Sequence, residues 1–144
     1  MFRKILYPTD FSETAEKAIP FLIQLKNTGI EEVIIFHVID TYRLRFPSIY
    51  APTNLISFID KMSNEAAEKA KIVAEKLNAA GIKAHVRIEQ GLPLREILRV
   101  ESEEEVSIIV IGSHGRSNIE EMFLGSVSEN VVRKAKSPVL VVKR

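Results

Sequence analysis

The run Val106-Ser107-Ile108-Ile109-Val110-Ile111, followed by Gly112-Ser113-His114-Gly115-Arg116-Ser117-Asn118, decides the fold. A short apolar run rich in β-branched residues reads as a buried strand. The loop after it is polar and glycine-bearing. A helical pattern follows over 126–135, and Pro138-Val139-Leu140-Val141-Val142 reads as a closing strand.

The same alternation extends back to the N-terminus. Ile5-Leu6-Tyr7, stopped by Pro8, reads as a first strand. Residues 12–28 carry Ala15, Ala18, Ile19, Leu22, Ile23 and Leu25 at helical spacing, with Ser12 as N-cap and Gly29 as the stop. Pro20 lies inside that pattern and predicts a kink or break. Val33-Ile34-Ile35-Phe36-His37-Val38-Ile39 reads as a second strand. Residues 41–56, with Tyr42, Phe46, Pro47, Tyr50 and Pro52, have no period and read as an irregular insert, either partner-facing or covering the core. Residues 57–80 form a long amphipathic helix ended by Gly81. Ala84, Val86 and Ile88 alternate with His85, Arg87 and Glu89, which predicts a half-wet strand near a sheet edge. Pro93 opens a third helix with Leu94, Ile97, Leu98 and Val100 inward.

Strands alternating with helices imply a parallel sheet covered on both faces. The expected architecture is one doubly wound α/β domain over 1–144, with a five-stranded parallel sheet. Composition agrees. The chain has 144 residues, 46% hydrophobic and 27% charged, with net charge +1. That excludes a disordered chain. The charge balance gives no electrostatic reason to expect nucleic acid or an anionic membrane as partner. Cysteine is absent, so disulfides, thiolate nucleophiles and Cys-ligated zinc are excluded. No run approaches the ~20 apolar residues of a membrane helix, and no signal-peptide stretch opens the chain. The expected compartment is the cytoplasm.

In such a sheet ligands bind beyond the carboxyl ends of the strands, where strand order reverses. Three of the six glycines, Gly112, Gly115 and Gly125, fall on one stretch after the fourth strand. Gly125 precedes Ser126-Val127-Ser128 at a helix start. Glycines admit close backbone approach, and a helix N-terminus favours phosphate. Ser126 and Ser128 add hydroxyls. The pattern reads as a phosphate cradle, although each glycine taken singly reads equally as a turn. It is neither a Walker A loop, which needs Gly-Lys-Ser or Gly-Lys-Thr, nor the Gly-x-Gly-x-x-Gly fingerprint after strand one.

The spacing Gly112-x2-Gly115-x9-Gly125-Ser126 resembles the nucleotide-binding signature of the universal stress protein family, in its ATP-binding branch. The resemblance extends over the chain. Lys4-Ile5-Leu6-Tyr7-Pro8-Thr9-Asp10-Phe11-Ser12 resembles the opening strand and loop, His37-Val38-Ile39-Asp40 the end of the second strand, and Ser137-Pro138-Val139-Leu140-Val141-Val142 the closing strand. The resemblance implies adenine between the first and second strand ends, at Pro8, Thr9, Asp10 and Val38. Two readings stay open for Asp10, binding or an Asx-turn, and two for Val38, apolar contact or core. Gly112 would approach the ribose. Gly115, Gly125, Ser126 and Ser128 would hold the triphosphate, with N–H groups from His114 through Arg116 and at Val127. Mg²⁺ or Mn²⁺ would bridge the phosphates. His114 is read as loop packing or a general base, and Arg116 as a phosphate partner or a solvated cation.

Glu103-Glu104-Glu105 reads as a solvated face, as does the basic group Arg133, Lys134, Lys136, Lys143 and Arg144. The closing strand would be an exposed apolar edge in a monomer. The resemblance implies that it pairs with its copy, giving a C₂ homodimer. The leading functional expectation is a cytoplasmic ATP-binding switch or sensor in stress adaptation, with slow or partner-dependent hydrolysis through an unidentified protein. The alternatives are an ATPase or nucleotidyl-transfer enzyme, a flavodoxin-like FMN carrier, and a structural dimer whose glycines only shape turns.

Overall fold

The computed structural model describes residues 2–44, 55–113 and 125–143. The elements run β1 (Lys4–Pro8), α1 (Glu13–Glu16), α2 (Ala18–Gln24), a 3₁₀ turn (Leu25–Thr28), β2 (Glu32–Asp40), α3 (Thr41–Leu44), α4 (Leu55–Ala79), β3 (Lys83–Gly91), α5 (Pro93–Glu103), β4 (Ile108–Gly112), α6 (Ser126–Lys134) and β5 (Val139–Val142). All pairings are parallel, in the order β3-β2-β1-β4-β5. The doubly wound five-stranded domain expected from the alternation is the one observed.

Each face of the sheet has its own core. On one face Ile5, Tyr7, Val33 and Ile35 pack with Ala18 and Leu22 of α2 and with Ala70, Val73 and Leu77 of α4. On the other, Leu6, Ile34, Phe36, Ile109 and Ile111 meet Ile97 and Val100 of α5 and Val131 of α6. Alternate residues of β1 thus feed opposite cores, as the period of two requires. Burial on both faces explains why its sequence is apolar without alternation.

The break expected at Pro20 lies three residues earlier, at Lys17. α1 ends at Glu16, and α2 begins at Ala18. A proline ring collides with the carbonyl four residues before it, here that of Glu16. Gly29, at φ 98°, ends the helical segment in the left-handed region that glycine adopts freely. The insert expected over 41–56 is helical at both ends, Thr41–Leu44 and from Leu55 onward. Phe46, Pro47, Tyr50 and Pro52 lie outside the described residues.

Two expectations are corrected. Leu98 is half-buried and belongs to neither core; the fully buried stripe of α5 is Ile97, Val100 and Glu101. The Glu101 carboxylate accepts from the main-chain N–H of Lys136 at 2.8 Å and of Ser137 at 2.6 Å. It is buried because it caps the corner between α6 and β5. Glu103 and Glu104 are not simply solvated. Arg87 of β3 donates to both, at 2.8 and 2.9 Å, and to Glu89 at 3.0 Å. Arg99 also donates to Glu103, at 2.6 Å. The Arg87 guanidinium holds the Glu103 carboxyl below the usual carboxylate range.

The sheet has two dissimilar edges. β3 carries Lys83, His85, Arg87 and Glu89 on alternate positions. β5 carries Val139, Leu140 and Val141, all half-buried, and buried Val142.

Candidate functional site

Strand order places the switch point between β1 and β4. The chain steps outward from β1 through β2 to β3, then crosses back to β4 beside β1. The residues that leave the carboxyl ends of these two strands therefore face one crevice.

On the β1 side, Pro8 and Thr9 are buried and Asp10 is half-buried. The Thr9 N–H continues the ladder by donating to the Phe36 carbonyl at 2.8 Å. The loop then turns on its own side chains. The Thr9 hydroxyl accepts from the Phe11 N–H at 2.9 Å, and the Asp10 carboxylate accepts from the Ser12 N–H at 2.9 Å. Phe11 sits at φ 61°, a left-handed conformation uncommon for a residue with a side chain. Ser12 caps α1, accepting from the Ala15 N–H at 3.2 Å, as its position predicted. The Asx-turn reading of Asp10 is realised.

β2 adds Val38, half-buried against the core that holds Leu6 and Phe36. It also adds His37, which the sequence reading left unassigned. The imidazole Nδ1 lies 2.8 Å from the Thr9 carbonyl oxygen. Its ring lies 4.9 Å from that of Phe11, centroid to centroid, tilted by 36°. Tyr7 supports the loop from below. Its hydroxyl donates to the Ala15 carbonyl at 2.6 Å, and burial pushes its pKa up to about 12.

On the β4 side, Gly112 has a packing reason that the sequence reading missed. A Cβ there would lie 3.2 Å from Ala15 Cα and 3.3 Å from the Thr14 carbonyl oxygen. The glycine lets β4 end against the backbone of α1, which draws the two halves of the crevice together. Ser113, buried, is the hub of the next step. Its N–H donates to the Val142 carbonyl at 2.8 Å, and its carbonyl accepts from the Gly125 N–H at 2.7 Å. The Ser128 hydroxyl donates to that same carbonyl at 2.7 Å. The proton of Ser128, read as a phosphate donor, is thus committed to the main chain.

These bonds bring the start of α6 to the end of β4. Gly125 is the N-cap and has no side chain to offer. The N–H groups of Ser126, Val127 and Ser128 have no acceptor within the helix, and the helix dipole adds partial positive charge there. Ser126 is exposed and Val127 half-buried. Of the expected site residues that are described, Pro8, Thr9 and Asp10 stand at the end of β1, Gly112 at the end of β4, Gly125, Ser126, Val127 and Ser128 at the start of α6, and Val38 on β2. His114, Gly115 and Arg116 lie outside the described residues. Among the described residues no cluster of His, Cys, Asp or Glu could hold a metal ion, and no helix is long and apolar enough to cross a membrane.

The universal stress protein MJ0577 of Methanocaldococcus jannaschii is 40% identical over 156 residues, spanning 100% of this chain and 96% of its own. The solved structure of MJ0577 superposes with a TM-score of 0.89 at 42% identity, covering 100% of this chain and 97% of that one. The fold is shared more distantly with a universal stress protein in complex with cAMP, at TM-score 0.70 and 22% identity over 99% of this chain and 97% of that one. It is shared likewise with a family protein from Arabidopsis thaliana with AMP bound, at TM-score 0.68 and 18% identity over 99% and 92%. The model of the universal stress protein family matches residues 1–143, and the chain belongs to that family.

Proposed function

We propose that the chain, as one domain over 1–144, binds ATP in the crevice beyond β1 and β4 and acts as a nucleotide-dependent switch or sensor in stress adaptation. The observation that carries this reading is the docking of Gly125 on Ser113, at 2.7 Å between nitrogen and oxygen. It sets the uncapped start of α6 at the switch point, opposite the loop that holds Thr9 and Asp10. Phosphate oxygens satisfy N–H groups of that kind. The distant family members with cAMP and AMP bound support an adenine nucleotide as ligand.

In this reading the base lies at Pro8, Thr9, Asp10 and Val38. Gly112 comes near the ribose. The phosphates meet Gly115, Gly125, Ser126 and Val127, with His114 and Arg116 on the intervening loop. Ser128 contributes by fixing the start of α6. Mg²⁺ or Mn²⁺ fits as a phosphate-bridging ion, which needs few protein ligands and neutralises charge. Hydrolysis is slow or depends on a partner protein, because the sequence offers no Walker lysine. β5 pairs with a second copy across a two-fold axis, and the protein works in the cytoplasm.

The test begins by denaturing freshly purified protein and identifying released nucleotide by mass spectrometry. Released ATP is expected. An empty protein is then titrated with ATP and Mg²⁺, and no binding at millimolar ATP sinks the reading. A Gly115→Val, Gly125→Val variant that stays folded should lose affinity. Sedimentation at micromolar concentration should give twice the 16.3 kDa chain mass.

A further inference from the structure

We infer that His37 is a positioning residue of the nucleotide site, holding the loop of Thr9 and Asp10 in its ligand-ready shape from the neighbouring strand. The inference rests on the nucleotide reading above and adds a residue that acts without touching the ligand.

The β1–β2 register ends at Pro8 opposite Phe36. One further ladder bond follows, from the Thr9 N–H to the Phe36 carbonyl. His37 is the next residue of β2, so its side chain engages the chain where the β1 strand stops. A carbonyl oxygen can only accept, so the 2.8 Å contact with Thr9 assigns the hydrogen to Nδ1. The imidazole thus fixes the direction of the Thr9 carbonyl. The same ring packs on Phe11 at 4.9 Å. Phe11 is the loop residue held at positive φ, 61°, where side-chain-bearing residues are seldom found.

One side chain therefore grips the loop at two points, on either side of Asp10. Between those points the loop's own bonds, Phe11 N–H to Thr9 and Ser12 N–H to Asp10, are local turns. Local turns do not fix a loop relative to the sheet; a bond from β2 does. A loop that samples other shapes binds with an apparent affinity reduced by its competent fraction. His37 raises that fraction.

The side-chain nitrogen of asparagine sits close to the place of Nδ1, whereas phenylalanine keeps a ring and loses the donor. His37→Asn and His37→Phe therefore separate the bond from the packing. ATP–Mg²⁺ titration of wild type and both variants is the experiment, with thermal unfolding as the folding control. His37→Asn should bind within about threefold of wild type, and His37→Phe roughly 5- to 30-fold more weakly, the effect of losing one or two kcal/mol. In nucleotide-free wild type, the ¹⁵N resonance of His37 Nδ1 should be that of a protonated ring nitrogen. Equal binding by all three proteins, or equal loss in both variants, overturns the inference while leaving the nucleotide site standing. An unprotonated Nδ1 overturns it without any ligand. Wild type that fails to bind ATP overturns the nucleotide reading first and this inference with it.

Discussion

The Ser128 hydroxyl donates to the Ser113 carbonyl oxygen at 2.7 Å, across fifteen residues of sequence. It joins the first turn of α6 to the residue after β4, and both partners are buried. The carbonyl also accepts from the Gly125 N–H. Ser128→Ala removes one of these donors and leaves the other. The expected loss is about 1 kcal/mol, the usual net worth of a hydrogen bond. Urea denaturation should show a lower midpoint with unchanged slope. ATP affinity should fall as well, because the start of α6 is less fixed.

Gly112→Ala tests the contact that closes the crevice. The new methyl would lie 3.2 Å from Ala15 Cα and 3.3 Å from Thr14 O, backbone atoms that cannot rotate away. Overpacking of this kind costs about 1–3 kcal/mol. Chemical denaturation measures it. A stability equal to wild type would mean that α1 moves off β4 freely.

Glu101 is predicted to be a stability residue with no part in binding. Its carboxylate serves the N–H groups of Lys136 and Ser137. Glu101→Ala leaves both without that acceptor and should cost roughly 2–4 kcal/mol, since bonds to charged groups are the stronger ones. Glu101→Gln keeps an acceptor oxygen and should cost less than half as much. Both should bind ATP as wild type does when folded.

Tyr7 makes a prediction in alkali. Its pKa is raised from 10.0 to about 12 in the folded state, chiefly by burial. A raised pKa means the folded state holds the proton more tightly. The stabilisation is complete below pH 10 and is lost as pH climbs to 12. Two pH units at 1.36 kcal/mol each set an upper bound of about 2–3 kcal/mol. The stability of wild type minus that of Tyr7→Phe should therefore fall across that window. A difference constant with pH would refute the assignment.

Much of this was legible in the residues. β1, β2 and β4 announced themselves because burial on both sheet faces removes polar residues from the run, as in Ile108 to Ile111, whereas β3 was legible by its alternation of apolar and polar residues. Ser12, Gly29 and Pro93 marked helix ends because capping chemistry is local. Pro20 marked a break for the same reason, though its steric reach moved the break to Lys17. The candidate site was legible as a place, at Thr9, Asp10 and Gly125. The bonds that build it were less so. Ser113, His37 and Glu101 act through partners 15 to 36 residues away in sequence, or on another strand. Spacing rules do not reach that far. Glu101 did leave a signal: it falls four residues after Ile97, on the inward stripe of α5, where a lone carboxylate needs a partner.

The unlike edges of the sheet give it a direction of growth. The charged row on β3, with Arg87 engaged by Glu89, Glu103 and Glu104, is dressed for water. Another strand arriving there would have to displace those ion pairs. β5 offers main chain flanked by valines and a leucine. A strand added at β5 by a second copy turns that copy's own β3 outward. Both free margins of such an enlarged sheet would be the charged kind, so assembly along the sheet would stop after one step rather than propagate into a fibre.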